Sequence, residues 1–151
     1  MKNHIFTVAL IIQRKVKRVP KLKGTPYPLE LHTIGDHIRK VRVDRKLLQT
    51  EVASLLGVCE ESLSGWENNR SQPQIKYYKR IIQFLGYYPF NHDTNTLGGR
   101  ILKYRYTKSL TQRQMGRKVG VNATTINAWE TRENSPQVAS LEKLNKILKT
   151  N

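Results

Sequence analysis

The sequence predicts an all-α chain made of two copies of one four-helix unit, and three observations carry that expectation. The 151 residues align with themselves without a gap at an offset of 63 positions. Apolar residues recur at helical spacing within each copy, and no stretch sustains the alternation of a half-buried strand. At the offset, Thr33-Ile34-Gly35 falls on Thr96-Leu97-Gly98, and Ile38, Lys40 and Arg42 fall on Ile101, Lys103 and Arg105. Leu47 and Gln49 fall on Leu110 and Gln112, Gly57-Val58 on Gly120-Val121, Trp66-Glu67 on Trp129-Glu130, and Pro73-Gln74 on Pro136-Gln137. Domains of about 60 residues fold alone with a thin stability margin, so two such units and a tail account for the length.

In the first copy, Thr33 with Asp36 three residues on has the spacing of a capping box. Ile34, Ile38 and Val41 then share one helical face. Gln49–Leu56 reads as a second helix that buries Val52, Leu55 and Leu56, with Gly57 ending it because glycine readily takes the left-handed conformation there. A third helix is expected from about Glu60 to Asn68, burying Leu63 and Trp66. Pro73 opens a fourth, on which Ile75, Tyr78, Ile81, Ile82 and Leu85 repeat at helical spacing.

The second copy follows the same plan. Leu97, Ile101 and Tyr104 line its first helix, and Thr111 with Gln114 forms a capping box for the second, which ends at Gly120. Asn122 caps the third, which buries Ile126 and Trp129; Val138, Leu141, Leu144 and Leu148 are expected to face inward from the fourth. The domain reading is a basic arm over 1–31, a first unit over 32–86, a linker over 87–95 and a second unit over 96–151.

Charge points to a polyanionic partner. Lys and Arg number 27 against 11 Asp and Glu, a formal net charge of +16. Residues 1–31 carry +6, 32–90 carry +3 and 91–151 carry +7, so the arm and the second copy hold most of the excess. The single cysteine, Cys59, allows no internal disulfide and fits a reducing compartment. The apolar run Ile5–Ile12 is too short to span a bilayer and is followed by basic residues, not a small-residue cleavage site. A cytoplasmic location is expected, with no membrane partner; the run itself has no assigned role.

The residues Gln49, Ala53, Gly57, Val58, Leu63 and Trp66, repeated as Gln112, Gly116, Gly120, Val121, Ile126 and Trp129, resemble the helix-turn-helix core of the lambda repressor/Cro-like family, also called the xenobiotic response element family. The resemblance covers about 33–85 and 96–148. It implies two tandem four- to five-helix lambda-repressor-like domains with a basic N-terminal arm, double-stranded DNA as partner, and a transcriptional regulator, often a repressor. Physically, the small residue permits close helix approach, the glycine makes the turn, and the apolar positions fix the third helix while its other face meets the major groove. The resemblance gives Gln49 and Gln112 a phosphate contact; a solvated helix start is the alternative. It gives base reading in the second copy to Asn122, Ala123, Thr124, Thr125 and Asn127, with Ala128 and Arg132 further along, although Asn122 also reads as a plain cap. The same face of the first copy presents Glu60, Glu61, Ser62, Ser64, Asn68 and Arg70. Arg42 with Glu67, and Arg105 with Glu130, occupy the family's structural ion pair and are assigned to the fold.

The first copy departs from the pattern. Glu60 and Glu61 repel phosphates, though glutamate also accepts from cytosine N4 and suits a helix start. Leu48 replaces the hydroxyl cap at Thr111. Weaker DNA binding and a role in protein docking or homodimerisation both remain open for this copy. The arm residues Arg14, Lys15, Lys17, Arg18, Lys21 and Lys23 fit a minor-groove or backbone contact or a solubilising tail.

Catalysis is not expected. The four histidines show no metal spacing with Cys59 or an acid, and no phosphate loop or nucleophile elbow is present. Cys59 reads as a small packing residue, and no cofactor, metal or small-molecule ligand is anticipated. Three functional readings follow. In the first, both copies read one asymmetric duplex site, with half-sites about 34 Å apart bridged by a linker reaching about 33 Å when extended. In the second, the second copy alone binds DNA. In the third, nucleic-acid binding is non-specific and driven by charge.

Overall fold

The computed structural model describes residues 30–149. The arm cations at positions 14–23, and the apolar run Ile5–Ile12, lie outside the described residues. The first unit contains α1 (Ile34–Asp44), α2 (Gln49–Leu56), α3 (Glu60–Glu67), a 3-10 turn (Ile75–Tyr77) and α4 (Tyr78–Leu85). The second contains α5 (Leu97–Lys108), α6 (Gln112–Val119), α7 (Ala123–Glu130) and α8 (Val138–Lys149). The described residues hold helices and no strand, as the periodicity predicts.

Each unit closes over its own core. Ile38, Val52, Leu56, Leu63 and Ile81 are fully enclosed in the first, with Trp66 and Phe84 beside them. Ile101, Met115, Ile126 and Leu144 do the same in the second, with Trp129 beside them. Two burial expectations and one helix start are corrected. Leu55 is only half-buried, at the rim of the core. Val138 is 74 % exposed; it lies six residues before Leu144, and at 3.6 residues per turn that rotates it well off the inward stripe. The fourth helix starts at Tyr78, because the chain leaving Pro73 makes a 3-10 turn first.

The caps reproduce the sequence reading. Thr33 Oγ1 accepts from Asp36 N at 3.1 Å while Thr33 N donates to Asp36 Oδ2 at 2.9 Å. Thr111 and Gln114 make the same reciprocal pair at 3.2 and 2.8 Å. At Leu48 half of the box survives: its N–H donates to Glu51 Oε2 at 2.9 Å, but leucine offers no acceptor in return. Gly57 and Gly120 adopt φ of +70° and +89°. The repeat also extends to conformation where residue types differ. Lys46 and Ser109 share φ of 54° and 55°, and Asn69 and Arg132 share 57° and 65°. Close approach explains another matched pair: a Cβ on Gly98 would stand 2.6 Å from Trp129 O, and one on Gly35 would overlap Trp66 O.

The segment 87–95, which the sequence reads as a linker, packs against both units. Tyr88, Phe90 and His92 fold back between the units and meet Tyr78 of α4 and Tyr106 of α5 in one aromatic cluster. Linkers are polar when nothing covers them; here the aromatics find each other. Beside the cluster, Lys79 N in the first turn of α4 donates to Ser109 Oγ at 2.7 Å.

Two predictions follow from this packing. Arg105 and Glu130 are 7 % and 4 % exposed at their side chains, so Glu130→Ala leaves a buried guanidinium without its partner and destabilises the chain by about 3–5 kcal/mol in urea unfolding. Glu133→Ala, on the exposed loop, changes stability by less than about 0.5 kcal/mol. Burial holds His37 and His92 below their ordinary value of 6.5, outweighing Asp36 beside the first and Glu130 near the second. The unfolded chain therefore binds protons first on acidification. The stability these residues contribute is complete above pH 6.5 and is lost as pH falls below it. The melting temperature should decline below pH 6.5, and His37→Phe with His92→Phe should flatten that decline; a rise on acidification contradicts the assignment.

Candidate nucleic-acid interface

The helix-turn-helix of the second unit is α6, the Gly120 turn and α7. A Cβ at Gly116 would stand 2.5 Å from Val121 O, so this position needs glycine to admit the turn backbone itself, not only the neighbouring helix. Ala53 occupies the same place in the first unit and is buried, so α2 and its turn leave room for one methyl.

One polar network sets the orientation of both helices. Arg105 Nε and Nη2 donate to Glu130 Oε1 and Oε2 at 2.6 and 2.9 Å, and Nη1 donates to Leu110 O at 2.9 Å. Gln112 Nε2 then donates to Glu130 Oε2 at 2.8 Å. The network thus ties α5, the α5–α6 loop, the start of α6 and the end of α7 to one carboxylate. The first unit repeats it: Arg42 meets Glu67 at 2.6 and 2.8 Å and Leu47 O at 3.1 Å, and Gln49 Nε2 donates to Glu67 Oε2 at 2.8 Å. The ion pairs stand where the family resemblance places them.

Neither Gln49 nor Gln112 is a solvated side chain. Gln112 Nε2 also donates to Asn127 Oδ1 at 3.0 Å, so both its amide protons are occupied. Gln49 makes one such bond, from Nε2 to Glu67.

On α7, Asn122 is the cap. Its Oδ1 accepts from Thr125 N, Thr125 Oγ1 and Thr124 Oγ1, each at 2.7 Å. Both threonine hydroxyl protons therefore turn inward, which leaves oxygen lone pairs and methyl groups for an outside partner. Asn122 and Asn127 are exposed and accept through their Oδ1 atoms, and Ala123 and Ala128 are half-exposed on the same helix. The surface combines acceptors, donors and methyls, the three features that base edges in a major groove complement. Arg132 is set apart from this group: its guanidinium pairs with Asp93 at 3.2 Å, exposed to solvent.

The equivalent face of α3 is different in character. Gln49, Glu60, Glu61, Ser64, Gly65 and Arg70 line one open groove. Asn68 Nδ2 turns back to Ser64 O at 2.8 Å, and Ser62 Oγ lies 3.1 Å from Cys59 Sγ. Cys59 is exposed, not a packing residue, because its place before α3 projects it from the turn.

The sequence reading missed part of the electrostatics. Arg113, Arg117 and Lys118 are exposed on α6, where the first unit has Thr50, Ser54 and Leu55. Their signal in the sequence is three cations in one eight-residue helix, which the net charge alone does not localise. No group of three or more metal-ligating side chains occurs among the described residues, and none of their helices is long and apolar enough to cross a membrane.

The family model described as helix-turn-helix matches the chain twice, over residues 38–91 and 101–151. The two matches begin 63 positions apart, the offset of the internal repeat. No match to a curated protein or to a solved structure was found. With more than half of its length matched in two tandem segments, the chain belongs to the lambda repressor/Cro-like helix-turn-helix family.

Proposed function

We propose that this chain is a sequence-specific duplex DNA-binding regulator of transcription, working in the cytoplasm, with α7 as its principal reading helix in the major groove. DNA binding is the activity the family indicates. The observation that carries the finer reading is the Asn122–Asn127 face: hydrogen-bonding and methyl groups on a helix held in place by the buried Arg105–Glu130–Gln112 network. Arg113, Arg117 and Lys118 supply cations beside it for the phosphate backbone. Inward-turned hydroxyl protons make Thr124 and Thr125 acceptors for the amino groups of adenine or cytosine, with methyls for thymine. Gln112 reaches a phosphate only by giving up Asn127, so the N-terminal N–H groups of α6 share that role.

Glu60 and Glu61 favour a second reading for α3, in which the first unit docks a protein partner or a second copy of the chain while the second unit binds DNA alone. Replacing both by Ala separates the two. Unchanged or tighter DNA binding with loss of self-association supports docking, and a shifted base preference supports direct reading.

Selection from a randomised duplex pool tests the main proposal. Thr124→Ala or Asn127→Ala should relax preference at one position by about 1–3 kcal/mol. Arg117→Ala should weaken all duplexes alike and lower the salt slope by about one. Enrichment of no sequence, with binding that collapses uniformly in salt, contradicts sequence-specific reading and leaves charge-driven association.

A further inference from the structure

We infer that the aromatic joint between the two units is a ruler, so that one chain recognises a composite, asymmetric duplex site whose two parts stand at a single fixed spacing. The inference rests on the DNA-reading role proposed above and adds that both units act on one duplex in a set geometry.

The joint has three anchors. Tyr106 of α5 meets Tyr78, Phe90 and His92 edge-on, with centroid separations of 4.9, 4.8 and 5.1 Å. Edge-to-face contacts are directional, so turning one unit about the connector breaks several at once. Lys79 N on Ser109 Oγ, at 2.7 Å, fixes the start of α4 on the end of α5. Asp93 O accepts from Thr96 N at 3.2 Å and from Thr96 Oγ1 at 2.8 Å, which holds the far end of the connector on the start of α5. A free nine-residue linker would spread the units over roughly 15–18 Å of end-to-end distance, whereas this one has its aromatic side chains committed.

DNA converts that rigidity into specificity. Each added base pair moves one part of a site by about 3.4 Å and rotates it by about a tenth of a turn. A tether absorbs such changes and a fixed joint does not. The two parts differ in sequence because the faces differ: Glu60, Glu61, Ser62 and Ser64 on one unit, Ala123, Thr124, Thr125 and Asn127 on the other. Gln49 keeps its place on Glu67, so α3 is held within its unit by the same network that holds α7.

Tyr106 belongs to neither hydrophobic core, so Tyr106→Ala loosens the joint and leaves both units folded, which circular dichroism verifies. Ser109→Gly is a second, milder variant that tolerates the left-handed backbone at this position. The full chain is first selected on a randomised duplex pool, and the enriched duplex is then titrated with base pairs inserted between its parts. The expected result is two unlike motifs at one spacing, with an insertion of about half a turn costing about 100-fold in affinity, the scale of a lost second contact. Tyr106→Ala should bind the selected duplex more weakly and shrink that insertion penalty below about tenfold, with Ser109→Gly between it and the parent. A single short motif, a perfect palindrome under one chain, two motifs at variable spacing, or a penalty unchanged in both variants each overturns the ruler while sequence-specific reading stands. Enrichment of nothing overturns that reading and the ruler together.

Discussion

A buried carboxylate organises each half of this molecule. Glu67 and Glu130 each receive two hydrogen bonds from an arginine and one from a glutamine, in a site closed to solvent. A charge so placed is tolerable only when its partners satisfy it, and here those partners come from the first helix and from the start of the second. The third helix therefore has little freedom to rotate or slide against the other two. The glycine turn and the tryptophan one residue before the glutamate complete the constraint, which is why Trp-Glu recurs intact at the 63-residue offset. A reading helix needs such a frame, because hydrogen bonds to base edges discriminate only when the donors and acceptors are held in register.

With the frame fixed, the outer faces are free to diverge, and they have. One presents amides, hydroxyl oxygens and methyls beside three cations; the other presents two carboxylates and Arg70, with neutral residues where the second unit has its three cations. The same scaffold thus carries surfaces of different electrostatic character. The joint between the units adds a second kind of constraint, on the relation of the two frames to each other.

Much of this was legible in the sequence, for identifiable reasons. Gapless repetition, helical periodicity and cap residues are local signals, and they placed α2, α3, α6 and α7 almost to the residue. The ion pairs were legible only through the family resemblance, since nothing local links Arg42 to Glu67 across 25 residues. Val138 is apolar yet exposed, because its angular position on α8 and not its apolarity decides which way it faces. The packing of the linker is not legible locally, because Pro89, Asn91 and Asp93 look like solvent-exposed chain, while the partners of its aromatics, Tyr78 and Tyr106, lie on helices of different units. In the candidate interface, the residues of α7 were nameable in advance. The direction of each hydroxyl and amide was not, because it depends on Asn122 and Glu130 collecting the donors.

The central claim, that α7 is the principal helix that meets DNA, is tested most directly by amide chemical-shift changes in the uniformly labelled full chain on titration with the selected duplex. The account predicts the largest changes over Asn122–Asn127 and the first turn of α6, with core amides such as Leu144 barely moving. Changes confined to other surfaces, with α7 unperturbed at saturation, would contradict it.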